Sequence, residues 1–142
     1  EAGTANSFGI AGLAAGVEFV TALGVEAIQA HEMSLNELLM DSLRSIPDAT
    51  VYGPDSARRK VGITSFNLDG LDPADVGRIL DRRFGVMVRT GLHCAALAHR
   101  KLRTESRGAI RVSFGCFNTA EDVSHVTDAL QQIAASVHQE VR

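Results

Sequence analysis

The 142-residue sequence has no tryptophan, one tyrosine, three prolines and only two cysteines. Two cysteines, Cys94 and Cys116, are too few to staple a fold with disulfides and suit a reducing, cytoplasmic setting. No run of Pro, Gly or Ser dominates, and an ordinary 45% hydrophobic content fits neither a fibrous nor a disordered class. No apolar stretch reaches the about 18 uninterrupted residues that would span a bilayer, so no membrane partner is expected. A basic-then-apolar leader is missing from the start. An excess of basic charge is missing too: 14 Lys and Arg against 17 Asp and Glu leave a net charge of −3. That balance offers no electrostatic footprint for nucleic acid. What remains is a chain of one-domain length, large enough to bury a core.

The opening Glu1-Ala2-Gly3-Thr4-Ala5-Asn6 is a polar, glycine-containing loop, either a tail or the start of a piece of a longer chain. Ile10, Leu13, Ala14, Val17 and Val20 then recur at helical spacing until Gly24. Gly9, Gly12 and Gly16 lower that helix's propensity and suggest close packing against another backbone. A second helix runs from Val25 to about Ile46 and is ended by Pro47. A third starts with Asp72 as N-cap, Pro73 in the first turn and Asp75, and runs to Gly85. A fourth begins at Thr119, with Asp122 completing a near capping box. Val123, Val126, Leu130, Ile133 and Val137 form its apolar stripe.

Between the helices lie β-like runs at Ala49–Tyr52, Val61–Leu68, Val86–Thr90 and Ala109–Phe114. In the last of these, Ile110, Val112 and Phe114 face one way while Arg111 and Ser113 face the other. The order of elements predicts an α/β fold of α+β-like character. Its mixed or antiparallel sheet carries helices mainly on one face.

Chemistry concentrates in Val88-Arg89-Thr90-Gly91-Leu92-His93-Cys94-Ala95, where a strand ends and a cysteine follows in a loop before a weak helical segment. Arg89 and His93 beside Cys94 favour a reactive thiolate, whereas a buried structural thiol is the alternative. Zinc held by His93, Cys94, His99 and Cys116 is disfavoured, because no Cys-x-x-Cys pair exists and adjacent residues do not easily share one ion. A Cys–His protease pair lacks an orienting third residue. Cys116, between Phe114 and Phe117, reads as packing and is expected to alkylate after Cys94. His31, His125 and His138 read as surface residues on helices. Arg111 projects from the polar side of its strand, either as a bidentate carboxylate clamp or in an ordinary surface ion pair.

Taken together, these motifs resemble the cysteine desulfurases and selenocysteine lyases, pyridoxal-phosphate enzymes of the class V aminotransferase, fold-type I group. Arg89-Thr90-Gly91-Leu92-His93-Cys94-Ala95 resembles their active-site cysteine loop, and Arg111-Val112-Ser113 with Phe117-Asn118-Thr119 resembles their second signature. Glu1-Ala2-Gly3-Thr4-Ala5-Asn6, Tyr52-Gly53-Pro54 and Ser65-Phe66-Asn67 match in order. Two positions depart from the pattern: Ala5 replaces a proline, and Leu92 stands where one subgroup has histidine.

The resemblance implies that Cys94 attacks the sulfur of L-cysteine to leave alanine and an enzyme persulfide. Selenocysteine lysis or a non-catalytic sulfur-carrier module are the alternatives. It further implies that Arg111, Arg89 and His93 bind the substrate, and that Thr4 and Gly3 reach the cofactor phosphate. No metal is implied. A homodimeric parent, a sulfur-acceptor protein and a role in iron–sulfur cluster assembly follow from the same likeness. The lysine that holds pyridoxal phosphate lies upstream in this family, and Lys60 and Lys101, the only lysines here, read as solvated. The chain therefore resembles the enzyme's C-terminal part. Residues 1–24 would form the cofactor-phosphate loop and interdomain helix, and residues 25–142 the small domain.

Overall fold

The computed structural model describes the backbone of residues 3–140 and the side chains of residues 3–136; Glu1, Ala2 and the side chains of Val137 and His138 lie outside these. Helix α1 spans Ser7–Leu23 and is capped by Asn6, whose Oδ1 accepts from the Gly9 amide at 3.0 Å. Gly24, at φ 84°, separates it from α2 (Val25–Ser45). The close packing expected of the α1 glycines is not made within this chain. A Cβ on Gly12 or Gly16 would meet nothing within 4 Å, and no α1 side chain is buried. Phe8, Leu13 and Val17 stand 94%, 68% and 57% exposed.

Strands β1 (Ala49–Tyr52), β2 (Ile63–Leu68), β3 (Arg89–Gly91) and β4 (Ala109–Ser113) form one sheet in the order β1-β2-β4-β3. Every pairing is antiparallel, so the sheet is not mixed. Two strands start later than hydrophobicity suggests. Val61 is 67% exposed and stays outside the ladder. The alternation of Val86 and Val88 with exposed Met87 holds, but ladder pairing begins only at Arg89. Apolar alternation reports which side chains are covered, not which backbone groups pair.

Helix α3 (Pro73–Phe84) has the predicted cap: Asp72 Oδ1 accepts from Ala74 N at 2.8 Å, and Gly85 closes the helix at φ 66°. A short helix, α4 (Ala96–Leu102), fills the weak segment after the cysteine. It raises the count among the described residues from the expected four helices to five. Helix α5 spans Ala120–Glu140. Its start is a reciprocal box, with Asp122 Oδ2 accepting from Thr119 N at 3.0 Å and Thr119 Oγ1 accepting from Asp122 N at 3.4 Å.

Helices α2, α3 and α5 cover one side of the sheet. Leu35, Leu39 and Leu43 of α2 meet Val76 and Leu80 of α3, Val126 and Leu130 of α5, and Phe66, Leu68, Ile110 and Val112 of the strands. One polar pair lies within this layer: Thr64 Oγ1 donates to Asn36 Oδ1 at 2.7 Å, with both residues fully buried. Among the described residues, no single helix is long and apolar enough to cross a membrane.

Candidate active site

Because side chains alternate along a strand, packing Phe66, Leu68, Ile110 and Val112 into the core turns their neighbours to the other face. Register then lines up Tyr52, Ser65, Arg111 and Arg89 across all four strands, with Thr50 opposite Asn67 one step along. This second face carries unsatisfied polar groups. Asn67 is fully buried, and its Nδ2 donates to Tyr52 Oη and to the Gly108 carbonyl, both at 3.1 Å. Its Oδ1 has no partner, and neither has the buried Nε of Arg111.

Arg89 and Arg111 are direct cross-strand partners on one face. Like charges in that position destabilise a sheet unless an anion lies between them. Among the described residues the ion pairs are Arg44–Asp41, Arg78–Asp75 and Arg107–Asp69, so neither of these two arginines has a carboxylate partner. Two planar forks without a counter-ion suit a bidentate carboxylate.

The cysteine leaves this face through a tight turn. Gly91, at φ 103°, ends β3, and the Ala95 amide donates to the Leu92 carbonyl at 2.8 Å. Inside the turn His93 and Cys94 both take left-handed backbone, at φ 51° and 58°. Two left-handed central residues define a turn that normally recruits Asn and Gly. Cys94 is exposed at its tip, so the buried structural thiol does not describe it. Gly108, at φ 77°, sits where any Cβ would run into the Gly91 backbone, so the start of β4 and the end of β3 touch main chain to main chain.

His93 is half-buried, and its Nε2 donates to the Ala109 carbonyl at 3.0 Å. Its Nδ1 is buried without a partner. Burial holds its pKa below the usual 6.5, with Arg111, His99 and Arg89 pushing the same way and the Ala109 carbonyl opposing. His99 is buried, hydrogen-bonded through Nδ1 to Thr104 Oγ1 at 2.8 Å, and its ring lies 5.7 Å from that of His93. Gly3 and Thr4 belong to another part of the chain, exposed in the loop ahead of α1.

Three sequence expectations need correction. Lys60 is not simply solvated: it is half-buried, its Nζ donates to the Tyr52 carbonyl at 3.2 Å, and burial lowers its pKa, Arg44 adding to this and Asp55 opposing. Phe117 does not shield Cys116. It is 81% exposed and stacks on Phe19 of α1 at 5.6 Å, leaving Cys116 half-exposed. His31 is no free surface group, since its Nε2 donates to the Asn118 carbonyl at 2.9 Å. Asn67 was assigned no role from sequence, although its alternation with Phe66 and Leu68 already placed it on the arginine face.

An antiparallel sheet covered by helices on one side, with an arginine pair on the other and a cysteine turn at its edge, defines the class. The class-V aminotransferase family matches residues 1–126, and the chain belongs to that family. It is 38% identical over 136 residues to a probable cysteine desulfurase of Methanothermobacter thermautotrophicus, covering 94% of this chain and 33% of that protein. It is 40% identical over 133 residues to a cysteine desulfurase of Escherichia coli, covering 94% and 31%. The apo structure of a cysteine desulfurase from Thermococcus onnurineus superposes with a TM-score of 0.89 at 34% identity, covering 96% and 33%. An Escherichia coli cysteine desulfurase in an S-sulfonic acid form gives 0.83 at 28%, covering 96% and 32%. The chain thus spans about a third of the length of these relatives.

The family's pyridoxal phosphate is matched in part by the residues present. The unpaired Arg89 and Arg111 forks and the orphaned Asn67 Oδ1 suit an amino acid held beside the cofactor. A lysine to hold the cofactor itself is not among them, because Lys60 is bound to the Tyr52 carbonyl and Lys101 is exposed on α4.

Proposed function

We propose that this chain is the cysteine-loop and carboxylate-clamp portion of a pyridoxal-phosphate-dependent cysteine desulfurase. In that reading residues 1–24 are the cofactor-phosphate loop and interdomain helix, with Gly3 and Thr4 reaching the phosphate, and residues 25–142 are the small domain. The observation that carries the reading is the Arg89–Arg111 pair, two adjacent cations without a counter-ion, next to an exposed cysteine at the tip of a strained turn.

The chemistry follows from what each group can do. Arg111 and Arg89 bind the α-carboxylate of L-cysteine and fix its orientation, converting an encounter in solution into a positioned reaction. The Cys94 thiolate attacks the substrate sulfur; the S–S bond forms as the substrate C–S bond breaks. The sulfane sulfur stays on Cys94 as a persulfide, and the carbon skeleton takes up a proton and leaves as alanine. When bound, the cofactor supplies the electron sink that makes that carbon–sulfur bond cleavable. A thiol on an acceptor protein then takes the sulfur by attacking the persulfide, which restores the Cys94 thiolate. A cytoplasmic homodimer feeding iron–sulfur cluster assembly belongs to the same reading.

The test uses the full-length protein with pyridoxal phosphate and L-cysteine. Equimolar alanine and protein-bound sulfane sulfur are expected, with Cys94→Ser losing the persulfide while cofactor absorbance is kept. Persulfide formation that survives Cys94→Ser would overturn the assignment.

A further inference from the structure

Left-handed backbone at two successive side-chain-bearing residues is disfavoured for L-amino acids, so a hold from outside the turn is required. Within the turn there is a single backbone hydrogen bond, Ala95 N–H to the Leu92 carbonyl. From the turn's side chains to the sheet, His93 Nε2 donates to the Ala109 carbonyl at 3.0 Å. Ala109 is opposite Gly91 in the β3–β4 ladder, so this bond ties the turn to the strand beside the one it leaves.

We infer that His93 is a positioning residue, a latch whose Nε2–H to Ala109 bond holds the Leu92–Ala95 turn against the sheet and keeps Cys94 at its tip. One of the ring's two nitrogens is engaged by the latch and the other is left with a free lone pair. Nε2 is spent on Ala109, and Nδ1 is buried with no partner.

The same geometry makes the latch sensitive to protonation. With Nε2 donating, the neutral ring carries its lone pair on Nδ1. A proton arriving there would create a second N–H with no acceptor. It would also place a positive charge among Arg111 from β4, Arg89 from β3 and His99 from α4, the groups that face the ring from each neighbouring element. Burial and these charges hold the pKa in the latched state below the free value of 6.5. A ring that resists protonation when latched favours the latched state fully above that free value. The preference is lost as pH falls from 6.5 through the lowered value. The latch therefore loosens on the acid side of neutrality. If Cys94 is the working thiol, as proposed above, the latch sets where that thiol waits between reactions.

The experiment needs no catalytic activity, so its failure is separable from failure of the desulfurase reading. In the 142-residue chain, two-bond proton–nitrogen correlations of the His93 ring are expected to show the Nε2–H tautomer at pH 7.5. Hydrogen exchange at the Ala95 amide is expected to accelerate about fivefold to tenfold in His93→Ala. The Phe66 and Ile110 amides of the central strands should be unchanged. His93→Asn keeps a side-chain donor and tolerates left-handed backbone, so it should restore part of the protection. In the wild-type chain, Ala95 protection should fall below pH 6.5, a step that vanishes in His93→Asn. An Nδ1–H tautomer, or Ala95 exchange unaltered in His93→Ala, would overturn the latch.

Discussion

The two faces of the four-stranded sheet are built on opposite rules. On the helix-covered face, polar demand is nearly absent: Phe66 and Ile110 are fully buried among aliphatic side chains, and the one polar pair, Asn36 with Thr64, satisfies itself. On the other face, polar groups are left wanting. Asn67 Oδ1 and Arg111 Nε are buried without partners, and Arg89 faces Arg111 with no acid between them. Buried unsatisfied groups lower the stability of a fold, so their concentration on one face needs a cause outside the fold's own stability. A ligand carboxylate would supply the acceptor that Arg111 Nε lacks and the counter-charge for the arginine pair, whereas Asn67 Oδ1 calls for a donor such as a ligand N–H or O–H.

Truncation should separate the faces most clearly. Phe66→Ala removes a fully buried ring and should cost about 3–5 kcal/mol in urea denaturation. Arg111→Ala relieves a like-charge contact and should change stability by no more than about 0.5 kcal/mol. On the proposed desulfurase reading, the same Arg111→Ala in the full-length protein should raise KM for L-cysteine, because the substrate carboxylate would lose its clamp. Equal destabilisation by both substitutions would erase the distinction between the faces.

Gly108→Ala attacks the seam between the strand ends and the cysteine turn. Its left-handed φ of 77° and the collision of a Cβ with the Gly91 backbone act together. A loss of about 1–3 kcal/mol is expected, since the obstacle is main chain and cannot swing aside. Loss of Ala95 amide protection should accompany it. A fully stable Gly108→Ala chain would show that the contact between β3 and β4 is not tight.

Much of the sheet's two-sidedness was legible in the sequence because period-two alternation is a local property. Arg111 between Ile110 and Val112 already placed that guanidinium opposite the core, and Asp72-Pro73 already opened α3. What stayed illegible depends on partners distant in the chain. The pairing of Arg89 with Arg111, the bond from His93 to Ala109 and that from Lys60 to Tyr52 are set by register and turn geometry. The left-handed backbone at His93 and Cys94 carries no sequence signal, because neither residue is one such a turn usually selects. The open character of Gly12 and Gly16 was hidden for a different reason: glycine signals room for a neighbour without saying which chain segment brings it.

Among the substitutions expected to destabilise the fold, the smallest effect lies away from both faces, at the start of α5. Thr119 Oγ1 accepts from the Asp122 amide at 3.4 Å, and Asp122 Oδ2 accepts from Thr119 N at 3.0 Å and from Asn118 Nδ2 at 3.2 Å. Thr119→Ala should cost about 1 kcal/mol, the usual effect of losing a capping hydroxyl, and leave Cys94 labelling unchanged. The bond from the Thr119 amide, followed by that from Asn118, holds the Asp122 carboxyl below its ordinary 3.8. A carboxylate whose folded pKa is depressed stabilises the fold above its unfolded value, and that contribution fades as pH falls from 3.8 through the folded one. Urea midpoints measured at neutral pH and below pH 3.8 should therefore converge between wild type and Asp122→Asn only on the acid side. A gap that persists at the acid end would mean that Asp122 acts through packing, and that the box at the start of α5 is not electrostatic.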